Sequence, residues 1–369
     1  MRNTRNRTGV ISITKLKKGE SMDKGYFYRV TEQTPTRFWI NNVTRKQADQ
    51  AIANGAVGCT QNPAYTWKML INEEEKDYAL AKLDRIIGEY EDDETVQVVL
   101  QRELVTEVAK RFMPVYEKSH GREGYVSIQG SPLYEDEATM LKNARFNREV
   151  SPNIMSKIPL TEEGVKVIEV LLEEDVPINA TEVFGASQVV ALMDAYERVA
   201  KKKKEMPLVY FSHITGIYDE YLKKQVERNN INISEDSLWQ AGMLVARKVY
   251  KLTKERGSRV GFIGGGARGL QHFTEMVGAE ACVTINWKGT ADQLIEQNPP
   301  VVDRFNTITN EKVLDELLST LDDFRRGWYI NGLAPEEWED FGPVELFRSS
   351  FVTAWNNTLE YISKRRKEL

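Results

Sequence analysis

Eight short apolar runs alternate with amphipathic stretches along most of this 369-residue chain. The runs are Phe38–Ile40, Ala56–Cys59, Tyr125–Ile128, Ile154–Ile158, Ile178–Ala180, Leu208–Phe211, Val260–Ile263 and Ala281–Ile285. Between them, Thr44–Asn54, Glu135–Asn147, Glu162–Asp175, Gly185–Lys203 and Gly269–Gly278 carry apolar residues at helical spacing. Strands separated by helices run parallel and connect through right-handed crossovers. Eight such units, from residue 37 to residue 297, make a closed α/β barrel of the (β/α)8 TIM type rather than an open sheet.

Two charged, helix-rich segments, 73–119 and 219–258, interrupt the rhythm and read as insertions in the barrel 37–297. Residues 1–36 show no sustained period and read as an N-terminal extension. Residues 298–369 read as a C-terminal helical extension packed on the barrel, with Trp328, Trp338 and Trp355 as packing residues. Hydrophobic residues make up 41% of the chain, enough for a large core, and the net charge of −5 gives no nucleic-acid footprint. No apolar stretch approaches the roughly 20 residues that span a bilayer. The N-terminus is basic but lacks an apolar signal core. Cys59 and Cys282 lie in apolar runs and read as reduced core residues, so a cytoplasmic protein is expected.

Chemistry in a parallel barrel collects where the strands end. Here those positions are Asn41 and Asn42, Thr60 to Pro63, Gln129, Lys157, Asn179 with Thr181 and Glu182, Ser212 and His213, Arg268 and Asn286. Lys157 is the residue that strand burial makes expensive, because an amine there must be paired, reach solvent, or lose its proton. Two readings stand on position alone: a lysine paired with a nearby carboxylate, or a neutral amine that forms a Schiff base.

The stretch Asn153-Ile-Met-Ser-Lys157-Ile-Pro-Leu-Thr-Glu-Glu-Gly164 resembles the Schiff-base strand of the transaldolase family. Thr60-Gln-Asn62-Pro63 is similar to that family's Thr-Thr-Asn-Pro, and Asn179-Ala-Thr181 to its Asn-Leu-Thr. Thr181-Glu-Val-Phe-Gly-Ala-Ser-Gln188 resembles the fructose-6-phosphate aldolase branch, and Gly264 to Arg268 falls where the family has Gly-Ala-Ser-Phe-Arg. The resemblance implies class I aldol chemistry without metal or other cofactor. A ketose would be the donor and an aldehyde the acceptor, with no nucleic-acid or membrane partner and a homo-oligomer allowed. It also implies Lys157 as nucleophile, Asn62 and Asn179 holding substrate hydroxyls, and Thr181 positioning a catalytic water. Ser212 would line the pocket, and Arg268 would meet the anionic tail of the substrate.

The departures point to the chemistry that must differ. Asn41 stands where the family has an acid/base aspartate, and an amide cannot take a proton. Gln129 replaces a glutamate, as in the aldolase branch, where it helps hold the water. Ile214 and Ile217 occupy the places of an aromatic phenol and of a second phosphate-binding arginine. Glu182 is the nearby carboxylate that would replace the missing base, but it follows Thr181 directly, and strand alternation is expected to point it away. The alternative to an enzyme is a sugar-binding or regulatory protein that has lost turnover on the same barrel. Gly264-x-Gly266-x-x-Gly269 satisfies a dinucleotide fingerprint on paper, but the next strand ends in Ile285-Asn286-Trp287 with no acidic residue for a ribose.

Overall fold

A computed structural model describes residues 24–266 and 268–369. Of the expected extension 1–36, residues 1–23 lie outside the described residues. The eight strands are β1 (Arg37–Asn41), β2 (Gly58–Thr60), β3 (Tyr125–Gln129), β4 (Ile154–Pro159), β5 (Ile178–Thr181), β6 (Val209–His213), β7 (Gly261–Gly265) and β8 (Cys282–Asn286). They pair in chain order, all parallel, and β1 closes on β8 from Arg37↔Cys282 to Asn41↔Asn286. The chain is a (β/α)8 barrel.

The helices follow in order: α1 (Tyr26–Gln33) ahead of β1, α2 (Arg45–Ala53) after it, and α3 (Tyr65–Ile71), α4 (Lys76–Glu89) and α5 (Asp93–Lys118) between β2 and β3. Next come α6 (Glu137–Arg148), α7 (Glu162–Glu173) and α8 (Ala186–Ala200), one per crossover, then α9 (Thr215–Asn229) and α10 (Glu235–Glu255) between β6 and β7. The four-residue α11 (Gln271–Thr274) separates β7 from β8. After β8 come α12 (Asp292–Gln297), α13 (Glu311–Thr320), α14 (Asp322–Trp328) and the long α15 (Gly342–Glu368). The expected insertion boundary at 219 falls inside α9, which starts directly after β6. The segment 24–36, read as an extension without a sustained period, contains α1. Its Phe27 stacks on Phe38 of β1 with ring centroids 3.8 Å apart, and eight residues are too few to show a period in the sequence. Among the described residues no helix is long and apolar enough to cross a membrane.

Side chains at every second strand position share a face, and the inner face is layered. Trp39, Tyr125, Met155, Ile263 and Cys282 form an apolar plug of their own, separate from the main core between strands and helices. Two residues further along β1, β3, β4 and β8 the inner face turns polar, at Asn41, Ser127, Lys157 and Thr284. Thr60 meets Thr284 (Oγ1 to Oγ1, 2.7 Å) across β1, and Asn179 Nδ2 donates to Ser127 Oγ (3.4 Å) across β4. Bonds that skip a strand are only available inside the barrel. An apolar floor below and a polar ring above therefore put the polar side chains at the C-terminal mouth.

Gly58 keeps this floor closed. A Cβ there would lie 2.2 Å from the indole Cε2 of Trp39, which is itself buried. Gly58→Ala is expected to destabilise the protein by about 1–3 kcal/mol, read as a lower urea midpoint with unchanged slope.

Candidate active site

Lys157 is the inward residue of β4 at the polar ring, in register with Gln129 of β3 and Asn179 of β5. It is 5% exposed, and burial lowers its pKa from 10.5 to about 8, the charge of Glu182 opposing the shift. Its Nζ sits 5.7 Å from the ring centre of Phe347 and 5.4 Å from that of Phe351, both on α15. The amine is thus kept out of water by two aromatic faces, which also favour whatever positive charge it carries.

Glu182 lies in the site, contrary to the expectation from alternation. Its φ of +62° is left-handed, so the chain turns at the end of β5 and the periodicity that holds through Thr181 no longer applies. Its Oε1 accepts from Gln129 Nε2 (3.2 Å), while the whole side chain is buried. Gln188 braces the turn. It donates to the carbonyls of Leu160 and Glu182 and accepts from the N–H groups of Phe184 and Gly185. Burial raises the Glu182 pKa, against the pull of Arg348, the Gln129 hydrogen bond and Lys157.

The other ring members are held from both ends. Asn179 Oδ1 accepts from Ser212 Oγ (2.7 Å) and its Nδ2 reaches Ser127. Asn41 Nδ2 donates to Asn286 Oδ1 (3.1 Å), and its Oδ1 accepts from Thr60 (2.9 Å). Asn62 Oδ1 accepts from Asn42 Nδ2 (2.8 Å) and from the Ala64 amide (3.1 Å) in the loop after β2. Buried polar atoms normally find partners, yet Gln129 Oε1, Thr181 Oγ1 and Glu182 Oε2 have none among the described residues. These are atoms left over for a substrate hydroxyl or a water. His213 faces the other way. Its Nδ1 lies 3.0 Å from the Val183 carbonyl, its ring packs against Phe184 and Tyr218, and burial lowers its pKa to about 4.

Arg268 stands apart from the ring. Its Nε bonds Glu220 Oε2 (2.7 Å) in an open cleft of about 700 Å³ lined by Gly216, Trp239 and His272 among others, with the arginine side chain 46% exposed. Ile214 and Ile217 are buried. Two glycines of the fingerprint serve packing: a Cβ would lie 2.7 Å from Met276 Cε at Gly264 and 1.8 Å from Ile214 Cγ2 at Gly266, and neighbouring Gly265 needs to be glycine for β7 to approach β8, its Cβ otherwise 2.1 Å from the Thr284 carbonyl oxygen. The sequence reading missed Glu135, Phe347, Arg348 and Phe351. Arg348 Nη1 bonds Glu135 Oε2 (3.2 Å), and Glu135 has its pKa raised to about 9 by burial and by Glu182. The only signal was the i, i+4 pair of phenylalanines on α15.

Residues 38–328 match the family model described as Transaldolase/Fructose-6-phosphate aldolase. The chain belongs to this family. It is 30% identical over 174 residues to a transaldolase of Thiobacillus denitrificans, covering 45% of this chain and 48% of that protein. A transaldolase of Saccharopolyspora erythraea is 32% identical over 167 residues, with 43% and 44% covered. One of Mycobacterium tuberculosis is 27% identical over 232 residues, with 59% and 61% covered. The chain thus spans about half the length of the first transaldolases it matches. The match to the family model includes Lys157, Gln129, Asn179, Thr181 and Glu182 and ends before α15, so the rings over Lys157 come from outside it.

The depressed lysine has a thermodynamic consequence. Its native pKa of about 8 lies below the value of 10.5 taken for a free lysine. Between these values the unfolded chain binds the extra proton, so this group makes stability rise with pH through that window, and its full penalty is present below it. Lys157→Met is therefore expected to gain about 2–3 kcal/mol over wild type at pH 7, the gain fading as the pH approaches 10.5. Urea unfolding of both proteins across pH 7–10.5 measures it, and a pH-independent difference contradicts the assignment.

Proposed function

We propose that this protein cleaves or transfers a ketose unit by class I aldol chemistry on Lys157. The observation that carries the reading is a buried amine with a depressed pKa in the polar ring of a transaldolase-family barrel. The neutral Nζ attacks the C2 carbonyl, and loss of water leaves an iminium. A base takes the C4 hydroxyl proton, the C3–C4 bond breaks, and its electron pair moves into the iminium to give an enamine. The aldehyde leaves. The dihydroxyacetone unit stays on Lys157 until an acceptor aldehyde is attacked, or until protonation and hydrolysis release it.

Glu182 is the group best suited to take the C4 proton. Its carboxyl has one oxygen tied to Gln129 and the other without a partner among the described residues, and it shares the electrostatic surroundings of the amine. This reverses the weight that alternation gives to a water held by Gln129 and Thr181. Those two unpartnered oxygens fit the water released on imine formation. Asn179 and Ser212 suit the substrate hydroxyls on the inner wall, and Asn41, tied to Asn286 and Thr60, orients rather than ionises. No cofactor enters this sequence of steps.

Borohydride reduction in the presence of ketoses, followed by intact mass, tests the imine. A dihydroxyacetone-sized adduct is expected on wild type and none on Lys157→Met. Absence of an adduct across a broad ketose panel would favour a sugar-binding protein. Glu182→Gln is expected to keep the adduct but slow C–C cleavage by about 10²–10⁴-fold. If Gln129→Ala is the damaging change and Glu182→Gln nearly silent, the water is the base instead.

The far end of the substrate faces little free positive charge. Arg268 is engaged by Glu220, and positions 214 and 217 are buried isoleucines. One missing charge-assisted bond to a phosphate is worth about 1.5–3 kcal/mol, or about 10- to 100-fold in affinity. An unphosphorylated or singly charged ketose is therefore expected to exceed fructose 6-phosphate in kcat/KM. A clear advantage for the phosphate that disappears in Arg268→Ala would refute this.

A further inference from the structure

The lysine half of the barrel mouth is shut. Gln129, Lys157, Asn179, Thr181, Glu182 and Ser212 are each at most 5% exposed, whereas Asn41, Asn62 and Asn286 on the other half are part-exposed. The cavity that adjoins Lys157 has a volume of about 10 Å³, room for one water. Addition of an amine to a carbonyl needs the reacting atoms about 3–3.5 Å apart, and the carbonyl carbon then needs about 3.5–4.0 Å to any ring beyond it. The ring centres of Phe347 and Phe351 lie 5.7 and 5.4 Å from Nζ, so no carbonyl fits between either ring and the amine. A ketose reaches Lys157 only if part of this wall moves. The strands are locked, β4 being laddered to β3 and β5, while α15 rests on the ring by side chains.

We propose that residues 342–350, the first turns of α15, form a gate that unwinds between Trp338 and Phe351 to admit substrate to Lys157, with the Arg348–Glu135 ion pair as its latch. This deepens the Schiff-base reading and rests on it.

The helix divides into an anchored part and a weakly held one. From Trp355 onward it is fixed by Trp355 Nε1 to Glu94 (3.1 Å), by Arg365 with two bonds to Asp84 (2.7 Å each) and by Arg366 Nε to Asp93 (2.9 Å). On the other side of the gate, Trp338 Nε1 donates to Ser187 Oγ (3.0 Å), and both groups are buried. Between these anchors Arg348 supplies the polar link to the barrel, its Nη1 lying 3.2 Å from Glu135 Oε2 just ahead of α6. Next to it the hydroxyls of Ser349, Ser350 and Thr353 bond the carbonyls of Leu346, Phe347 and Ser349 (3.0, 2.7 and 2.9 Å). Hydroxyls that bond back in this way compete with the helix ladder, and kinks collect at such pairs of small residues. All three side chains are exposed, so no packing holds the ladder at that point. Local opening is drawn from segments of this kind. Phe351 stays with the anchored part as a fixed wall, and the movement takes Phe347 off the amine.

Hydrogen exchange of the full chain, read by mass spectrometry, reports opening of residues 342–350. Acetylation of Lys157 by the N-hydroxysuccinimide ester of acetic acid reports access to the amine without aldol chemistry, and exposed Lys46 serves as the internal control. Exchange in 342–350 is expected to be faster than in 355–365. Arg348→Met is expected to speed both exchange in 342–350 and acetylation of Lys157 by about 10-fold, as for one charge-assisted bond lost. Arg348→Gln serves as a second variant if the methionine protein does not fold. The double change Ser349→Ala with Ser350→Ala favours the helix and is expected to slow both by about fivefold. Because these serines face solvent, that slowing reads access rather than the charge on the amine. Lys157 acetylation that ignores both changes, or exchange in 342–350 as slow as in 355–365, overturns the gate. Borohydride trapping of dihydroxyacetone is expected to rank the variants in the same order. Acetylation that follows the gate while no variant gives a dihydroxyacetone adduct overturns the Schiff-base reading alone and supports the gate.

Discussion

Burial of one amine sets the terms for everything around it. Lys157 occupies an inward position of a central strand, where a permanent charge is costly and where its backbone is locked into the ladder with β3 and β5. Among the described residues no carboxylate forms a close ion pair with it: two aromatic rings lie over Nζ, and Glu182 acts on it through space. A salt-bridged lysine would stay protonated and inert. One left in bulk solvent would keep its ordinary pKa. Rings above and an apolar plug below push the amine toward the neutral form, and the distant carboxylate limits how far.

That arrangement needs a lid whose contacts are elsewhere. The α15 helix packs on α9, which follows β6, and on α3, α4 and α5, which follow β2, so it spans opposite sides of the barrel mouth. Its ends carry their own anchors: Tyr361 against Trp67 and Arg366 bonded to Asp93 on one side, Phe341 against Tyr218 on the other. The α4–α5 segment, which interrupts the strand–helix rhythm, thereby supplies the surface on which the C-terminal helix rests. Insertion and tail are two halves of one device, each with an apolar face that the barrel alone would leave exposed.

The barrel was legible because its signal is repeated eight times, and a local error in any one run leaves the topology unchanged. The inward ring was legible for the same reason: period-two alternation from a buried strand places Asn41, Thr60, Gln129, Lys157, Asn179 and Ser212 on one face. What failed was the extrapolation of that rule past a strand end. Glu182 is one residue beyond β5 with a left-handed φ, and nothing in Thr181-Glu182-Val183 announces it. Arg268 was assigned by its place in a motif, whereas its partner Glu220 comes from α9, far away in sequence. Arg348 and the two phenylalanines were invisible for a related reason. A helix near the end of the chain can dock on any exposed apolar surface, and its own periodicity does not say which.

An amide rather than an acid at position 41 suits a mouth that already holds two glutamates. The Asn41 amide satisfies Asn286 with its N–H and Thr60 with its oxygen. An aspartate there would set a carboxylate against the Asn286 oxygen and add a third carboxyl to a mouth that already holds Glu135 and Glu182. The added charge would raise both glutamates further and hold the proton on Lys157 more firmly. The amine would then be a weaker nucleophile, and the carboxylates would gain nothing from their number. Here the buried carboxyl near the lysine stands one residue past β5 rather than at the end of β1, and the left-handed turn at Glu182 is what brings it inward.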